Sequence, residues 1–213
     1  MNVVVAGGHG KIAMLLHPML VKRGDSVRAL IRNPEHSDDV RAAGAEPVYC
    51  DLEAESDVAS AVGAADAVVF AAGAGPGSGA ERKRTMDRDG AVKLIAAAEA
   101  NDVPRYLIIS SMGAGSPPAE AGDVFGEYLR AKAEADRAVA ASGLDFTIVR
   151  PGGLTDDPPN GSVALGDSVE RGQIPRADVA AVLVACLASD NSIGKTFEVV
   201  SGDTPVGDAV ASL

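Results

Sequence analysis

MNVVVAGGHGKIAMLL (residues 1–16) sets strand-type residues at positions 2–5 directly before Gly7, Gly8 and Gly10, and then begins an apolar helical pattern. So much backbone freedom between a buried strand and a helix has two explanations. One is a tight turn and nothing more. The other is a charged ligand lying against bare peptide N–H groups. The surrounding sequence decides between them.

Outward from this turn the chain alternates. Apolar strand-like runs fall at residues 3–6, 27–31, 46–49, 67–71, 106–110, 146–149 and 196–200. Helix-period segments lie between them at about 11–23, 36–43, 55–62, 85–101, 126–142 and 176–188. Continuous apolar strands separated by helices mean a parallel sheet covered on both faces. The expectation is a single α/β domain over residues 1–213, a doubly wound parallel sheet (Rossmann fold) of about seven strands. Two stretches break the rhythm: the Gly/Ser-rich residues 71–84, and the Pro/Gly-punctuated residues 150–176. Both follow the carboxyl ends of strands, where open parallel sheets bind ligands, so they read as two walls of a cleft. Residues 151–175 of the second are expected to form a small substrate-side cap.

In this setting the glycines gain meaning. Gly7, Gly10 and Ala13 give the spacing G-x-x-G-x-x-A. The first permits the sharp turn, the second lets a pyrophosphate approach the backbone, and the small third residue lets the helix pack close to the sheet. The N–H groups of Lys11 and Ile12 would face phosphate oxygens, aided by the positive helix end. The second strand ends in RALIRNPE (residues 28–35), with Arg32 where NAD would call for an acid; a guanidinium suits the 2′-phosphate of NADP. After the third strand, Asp51 is read either as an acceptor for the adenine amino group, with the Leu52 backbone beside the ring, or as a helix N-cap. Ala71, Ala72 and Gly73 end the fourth strand with residues small enough for a ribose to lie close. His9 and His17 are assigned no catalytic part.

The chemistry is expected one connection later. The fifth strand ends in Ser110 and Ser111, and the next helix carries Tyr128 and Lys132, four apart and on one face. A tyrosine near its reference pKa of ~10 is a poor acid–base catalyst at neutral pH, whereas a neighbouring ammonium favours the phenolate. The same lysine reaches ribose hydroxyls, and a serine hydroxyl orients a substrate carbonyl. The structural alternative is a tyrosine packed on the sheet and a lysine paired with Glu127 or Asp136.

Composition narrows the field. A formal net charge of −11 opposes nucleic-acid binding. Cys50 and Cys186 are too few and too isolated for a disulfide framework or a zinc site, so no metal is expected. No apolar run reaches ~18 residues and no leader pattern opens the chain, so the expected setting is cytoplasmic, away from membranes.

Taken together, the residues 7–13, Arg32, Asp51, Leu52, 71–73, Ser110, Ser111, Tyr128, Lys132 and RPGGL (150–154) resemble the short-chain dehydrogenase/reductase superfamily. The likeness is closest to its atypical, single-domain NAD(P)-binding members, often labelled NAD(P)-dependent epimerases or reductases. It covers nearly the whole chain and implies NADP as cofactor. By resemblance, the acid/base pair falls on Tyr128 and Lys132, and the serine on Ser111, or on Ser110 if the strand end is offset by one. Asp87 stands where the family usually has a catalytic asparagine, which bears on the proton relay to the lysine. Ser110 would join the cofactor contacts, and Pro151, Gly153 and Leu154 would border the nicotinamide. Extended members carry a larger substrate domain; the short stretch to Arg176 disfavours a sugar nucleotide. The implied activity is an NADPH-dependent oxidoreductase acting on a small carbonyl or conjugated ring compound, as a monomer or small homo-oligomer. The alternatives are a non-catalytic NADP(H)-binding redox sensor and a flavin or quinone reductase.

Overall fold

The computed structural model describes residues 1–75, 77–118 and 123–213. Strand β1 (Asn2–Ala6) leads into helix α1 (Lys11–Arg23), then β2 (Ser26–Ile31), a short 3-10 turn, α2 (Ser37–Ala42) and β3 (Glu46–Tyr49). Next come α3 (Ala59–Val62), β4 (Ala67–Phe70) and a composite helix. That helix runs from α4 (Ala80–Arg82) through wide-pitched π turns (Lys83–Gly90) into α5 (Ala91–Ala100). The remainder is β5 (Arg105–Ile109), α6 (Val124–Ala141), β6 (Asp145–Pro151), β7 (Gly153–Thr155), β8 (Ser162–Gly166), β9 (Gln173–Pro175), α7 (Arg176–Leu187), β10 (Lys195–Ser201), β11 (Thr204–Pro205) and α8 (Val206–Ala211).

The main sheet has the order β11-β8-β10-β6-β5-β4-β1-β2-β3. Its seven neighbouring strands from β3 to β10 are all parallel, and they are the seven that the apolar runs mark. The sheet is larger than expected. β8 pairs antiparallel with β10, β11 pairs antiparallel with β8, and β7 and β9 form a separate two-stranded parallel ribbon. The extra strands are short and rich in Gly, Ser and Pro, so they carry no continuous apolar run to announce them. Part of the stretch expected as a cap therefore extends the sheet, while β7 and β9 stay beside the cleft.

Side chains alternate along each strand, so the sheet divides two cores. Val3, Val5 and Val69 face α1 and α7, whereas Val4, Val68 and Phe70 face α5 and α6. Two helices depart from the bounds their periodicity predicts. Asp51 Oδ1 accepts from the N–H groups of Glu53 and Ala54 at 2.9 and 3.3 Å, closing a separate turn. Asp57 Oδ1 then accepts from Ala59 N–H at 2.8 Å, where α3 starts. The segment expected at 85–101 instead starts at Ala80 and is α-helical only from Ala91.

β1 lies between β2 and β4, and the chain leaves it in opposite directions on the two sides. Such a reversal opens a crevice beyond the strand ends.

Candidate active site

The turn after β1 is built for close approach. Gly7 has φ +76°, and a Cβ there would stand 2.6 Å from Ala72 Cα. Gly8 donates to Leu30 O at 2.9 Å, which ties the turn to β2. Buried His17 donates from Nε2 to Gly8 O at 2.7 Å; burial holds its pKa below the ordinary value, so it stays neutral. Gly10 is the N-cap of α1, which has no side-chain cap and no acid in its first turn. Uncapped N–H groups at a positive helix end favour an anion.

The crevice holds two adjoining cavities. The first, ≈ 490 Å³, is lined by Gly7, Gly10, Lys11, Ile12, Arg32, Asp51, Leu52, Ala71, Ala72, Gly73 and Leu154, among others. The second, ≈ 720 Å³, holds Asp87, Ser110, Tyr128 and Lys132. They share Ile12, Ala71, Ala72, Gly73, Gly75 and Leu154, and so form one trough along the carboxyl edge of the sheet. Pro151 and Gly153 line neither cavity. Pro151 O accepts from Met112 N–H, and Gly153 N–H donates to Gly172 O, so both serve the backbone that presents Leu154.

At the outer end of the first cavity Arg32 is half-exposed, with Nη1 3.4 Å from Glu53 Oε2. Arg82 grips the same carboxylate through Nε and Nη2, both at 3.1 Å, and Thr85 Oγ1 donates to it at 2.8 Å. Sequence reading overlooked Arg82 and Glu53; the run ERKR (residues 81–84) was the available signal. Asp51 Oδ1 caps a turn rather than a helix, and the residue lines the first cavity. Cys50 lies beside it, with burial and then Glu55 and Asp51 raising its thiol to about 11, which leaves it unreactive at neutral pH.

The second cavity carries the titratable groups. Tyr128 and Lys132 both face it from α6. Lys132 is 3% exposed; Nζ donates to Ile109 O at 2.9 Å, pairs with Asp87 Oδ1 at 3.2 Å and stands 5.9 Å from the Tyr128 ring centre. Burial works against its charge, but Asp87, Tyr128 and Asp136 outweigh burial and hold its pKa above the ordinary value. Asp87 is 1% exposed, and its other oxygen accepts from Ala74 N–H at 3.2 Å. Behind Lys132, Asp136 accepts from Arg150 Nε at 2.9 Å. Burial raises the Asp136 pKa against the lowering pull of Ser110, Arg150 and Lys132. Ser110 lines the cavity, whereas Ser111 does not and donates its hydroxyl to Met112 O at 3.2 Å.

A glycine turn at a topological switch, continuous through one trough with the tyrosine and lysine of α6, defines a dinucleotide-binding Rossmann protein of the short-chain dehydrogenase/reductase kind. The likeness to the atypical members holds across the chain. The chain belongs to the NAD(P)H-binding family, whose model matches residues 7–190. It is 36% identical over 215 residues to the uncharacterized sugar epimerase YhfK of Bacillus subtilis, covering 100% of both chains. It is 34% identical to the UPF0659 protein YMR090W of Saccharomyces cerevisiae, covering 100% of this chain and 99% of that one. A candidate NAD-dependent epimerase/dehydratase from Bacillus halodurans superposes with a TM-score of 0.94 at 39% identity, over 100% of both chains. The oxidoreductase ylbE of Lactococcus lactis superposes at 0.88 and 27% identity, covering 100% of this chain and 96% of that one. Among the described residues no helix is long and apolar enough to cross a membrane.

Proposed function

We propose that this chain is an NADPH-dependent reductase of a small carbonyl or conjugated ring compound. The observation that carries the reading is the joint placement of Tyr128 and Lys132 in a cavity continuous with the glycine turn. The first-turn N–H groups of α1 hold the diphosphate. Arg32 meets the 2′-phosphate, with Arg82 retaining Glu53 as Arg32 turns to its new partner. When bound, the nicotinamide supplies a hydride to the substrate. Tyr128 gives the proton to the carbonyl oxygen, Ser110 orients that oxygen, and Lys132, held by Asp87 and Ile109 O, fixes a positive charge beside the phenol. Buried, reduced Cys50 and Cys186 suit a reducing setting such as the cytoplasm.

One feature favours a second reading. Asp87 pairs with Lys132 where the family usually has an uncharged asparagine; its negative charge offsets the pull of the ammonium on the phenol, which suits reduction of a flavin or quinone stacked against the nicotinamide with little need of an acid. Tyr128→Phe separates the two in an NADPH-oxidation assay run on aromatic aldehydes and on quinones. A fall of roughly 100-fold or more in kcat for aldehydes, with NADPH affinity kept, supports the acid role. Undiminished turnover of quinones alone supports the second reading.

A further inference from the structure

The larger cavity of the trough holds a cation that the reading above leaves without a part. Lys83 opens the π-turn segment and lines the ≈ 720 Å³ cavity. Its ammonium donates to Gly75 O at 2.8 Å and stands 5.2 Å from the centre of the Tyr128 ring. One such bond leaves two N–H donors for other acceptors. Among the described residues no carboxylate forms an ion pair with Lys83. Among the described residues the one acid lining this cavity, Asp87, is buried and turned to Lys132 and Ala74 N–H.

Much of the cavity that this ammonium shares is apolar. Ile12, Ile109 and Leu154 line the cavity, and Phe125, 60% exposed, stands on its rim with Val124. The Phe125 and Tyr128 rings lie 6.0 Å apart and tilted by 33°. Exposed aromatics at the mouth of a cavity are what a planar ligand covers.

We propose that Lys83 is the anchor for a carboxylate carried by a planar, conjugated substrate, flanked by Phe125 and Tyr128. The proposal rests on the reductase reading of the same cavity and adds its substrate class. Charge supports it. A chain of net charge −11 repels an anion at long range, so recognition of a carboxylate needs a local cation with an unsatisfied donor. Burial lowers the Lys83 pKa, against the opposing pull of Asp87, so its charge is held at a cost that an incoming carboxylate offsets.

The probes are 2-naphthoate and its methyl ester, which share a ring system and differ in charge. Their binding is measured by fluorescence titration with and without NADPH, on the unaltered protein, Lys83→Gln and Lys83→Arg. The unaltered protein is expected to favour the carboxylate by about tenfold. Lys83→Gln should bring the ratio to about one, and Lys83→Arg should keep most of it. No preference in the unaltered protein, or the same preference in Lys83→Gln, overturns the proposal. So does an equal weakening of both probes, which would make Lys83 only a tie for the Gly75 loop. A Lys83-dependent preference in a protein that fails to bind NADPH would overturn the coenzyme reading and leave the anchor standing.

Discussion

Gly7 carries the account at the smallest scale. Its positive φ disfavours a side chain, and the backbone of Ala72 occupies the space that a Cβ would take. Gly7→Ala should destabilise the fold by about 2 kcal/mol and abolish measurable NADPH binding, checked by urea unfolding and calorimetry. Arg32 tests a narrower point. Arg32→Ala should weaken NADPH binding roughly tenfold, an exposed-site magnitude, and spare NADH; equal weakening would give Arg32 another role. His17 makes the turn sensitive to acid. Its folded-state pKa lies below the ordinary 6.5, so as pH falls the unfolded chain takes up the proton first. Stability is therefore full above about pH 6.5 and declines below it. His17→Gln keeps a donor for Gly8 O and removes the titration. The Tm advantage of the unaltered protein over this variant should shrink between about pH 7 and pH 5.5.

At the level of elements, the seven parallel strands were legible because strands buried on both faces must be continuous apolar runs, as VVVA after Asn2 and AVVF at β4 are. β8 and β11 were not, because an edge pair in Ser-, Gly- and Pro-rich sequence is set by partners far away in the chain. Asp178 shows how: fully buried on α7, it accepts from the N–H groups of Asn160 and Gly161, both at 3.0 Å, and so fixes the entry to β8. Asp178→Ala leaves those two donors without their acceptor and should cost about 2–3 kcal/mol in urea unfolding, without altering NADPH affinity. The site was legible where chemistry and spacing coincide, as in Tyr128 and Lys132. It was illegible where a contact depends on how the composite helix after β4 folds back, as in Arg82 on Glu53 and Lys83 on Gly75. Which of Ser110 and Ser111 lines the cavity turns on where β5 stops, and periodicity does not resolve an end so finely.

Over the whole molecule, a strongly acidic chain holds a trough whose inner end presents peptide N–H groups and whose outer parts present Lys11, Arg32, Arg82 and Lys83. Lys11 is paired with Asp156 and Arg32 and Arg82 with Glu53, so these cations are held in place at the trough as local partners for an anionic dinucleotide on a chain of net charge −11. Isothermal titration of the purified protein with NADPH, NADP+, NADH and NAD+ tests this most directly. One site per chain is expected, with the phosphorylated pair bound more tightly than the other. Absence of binding heat with all four would contradict the account at its root.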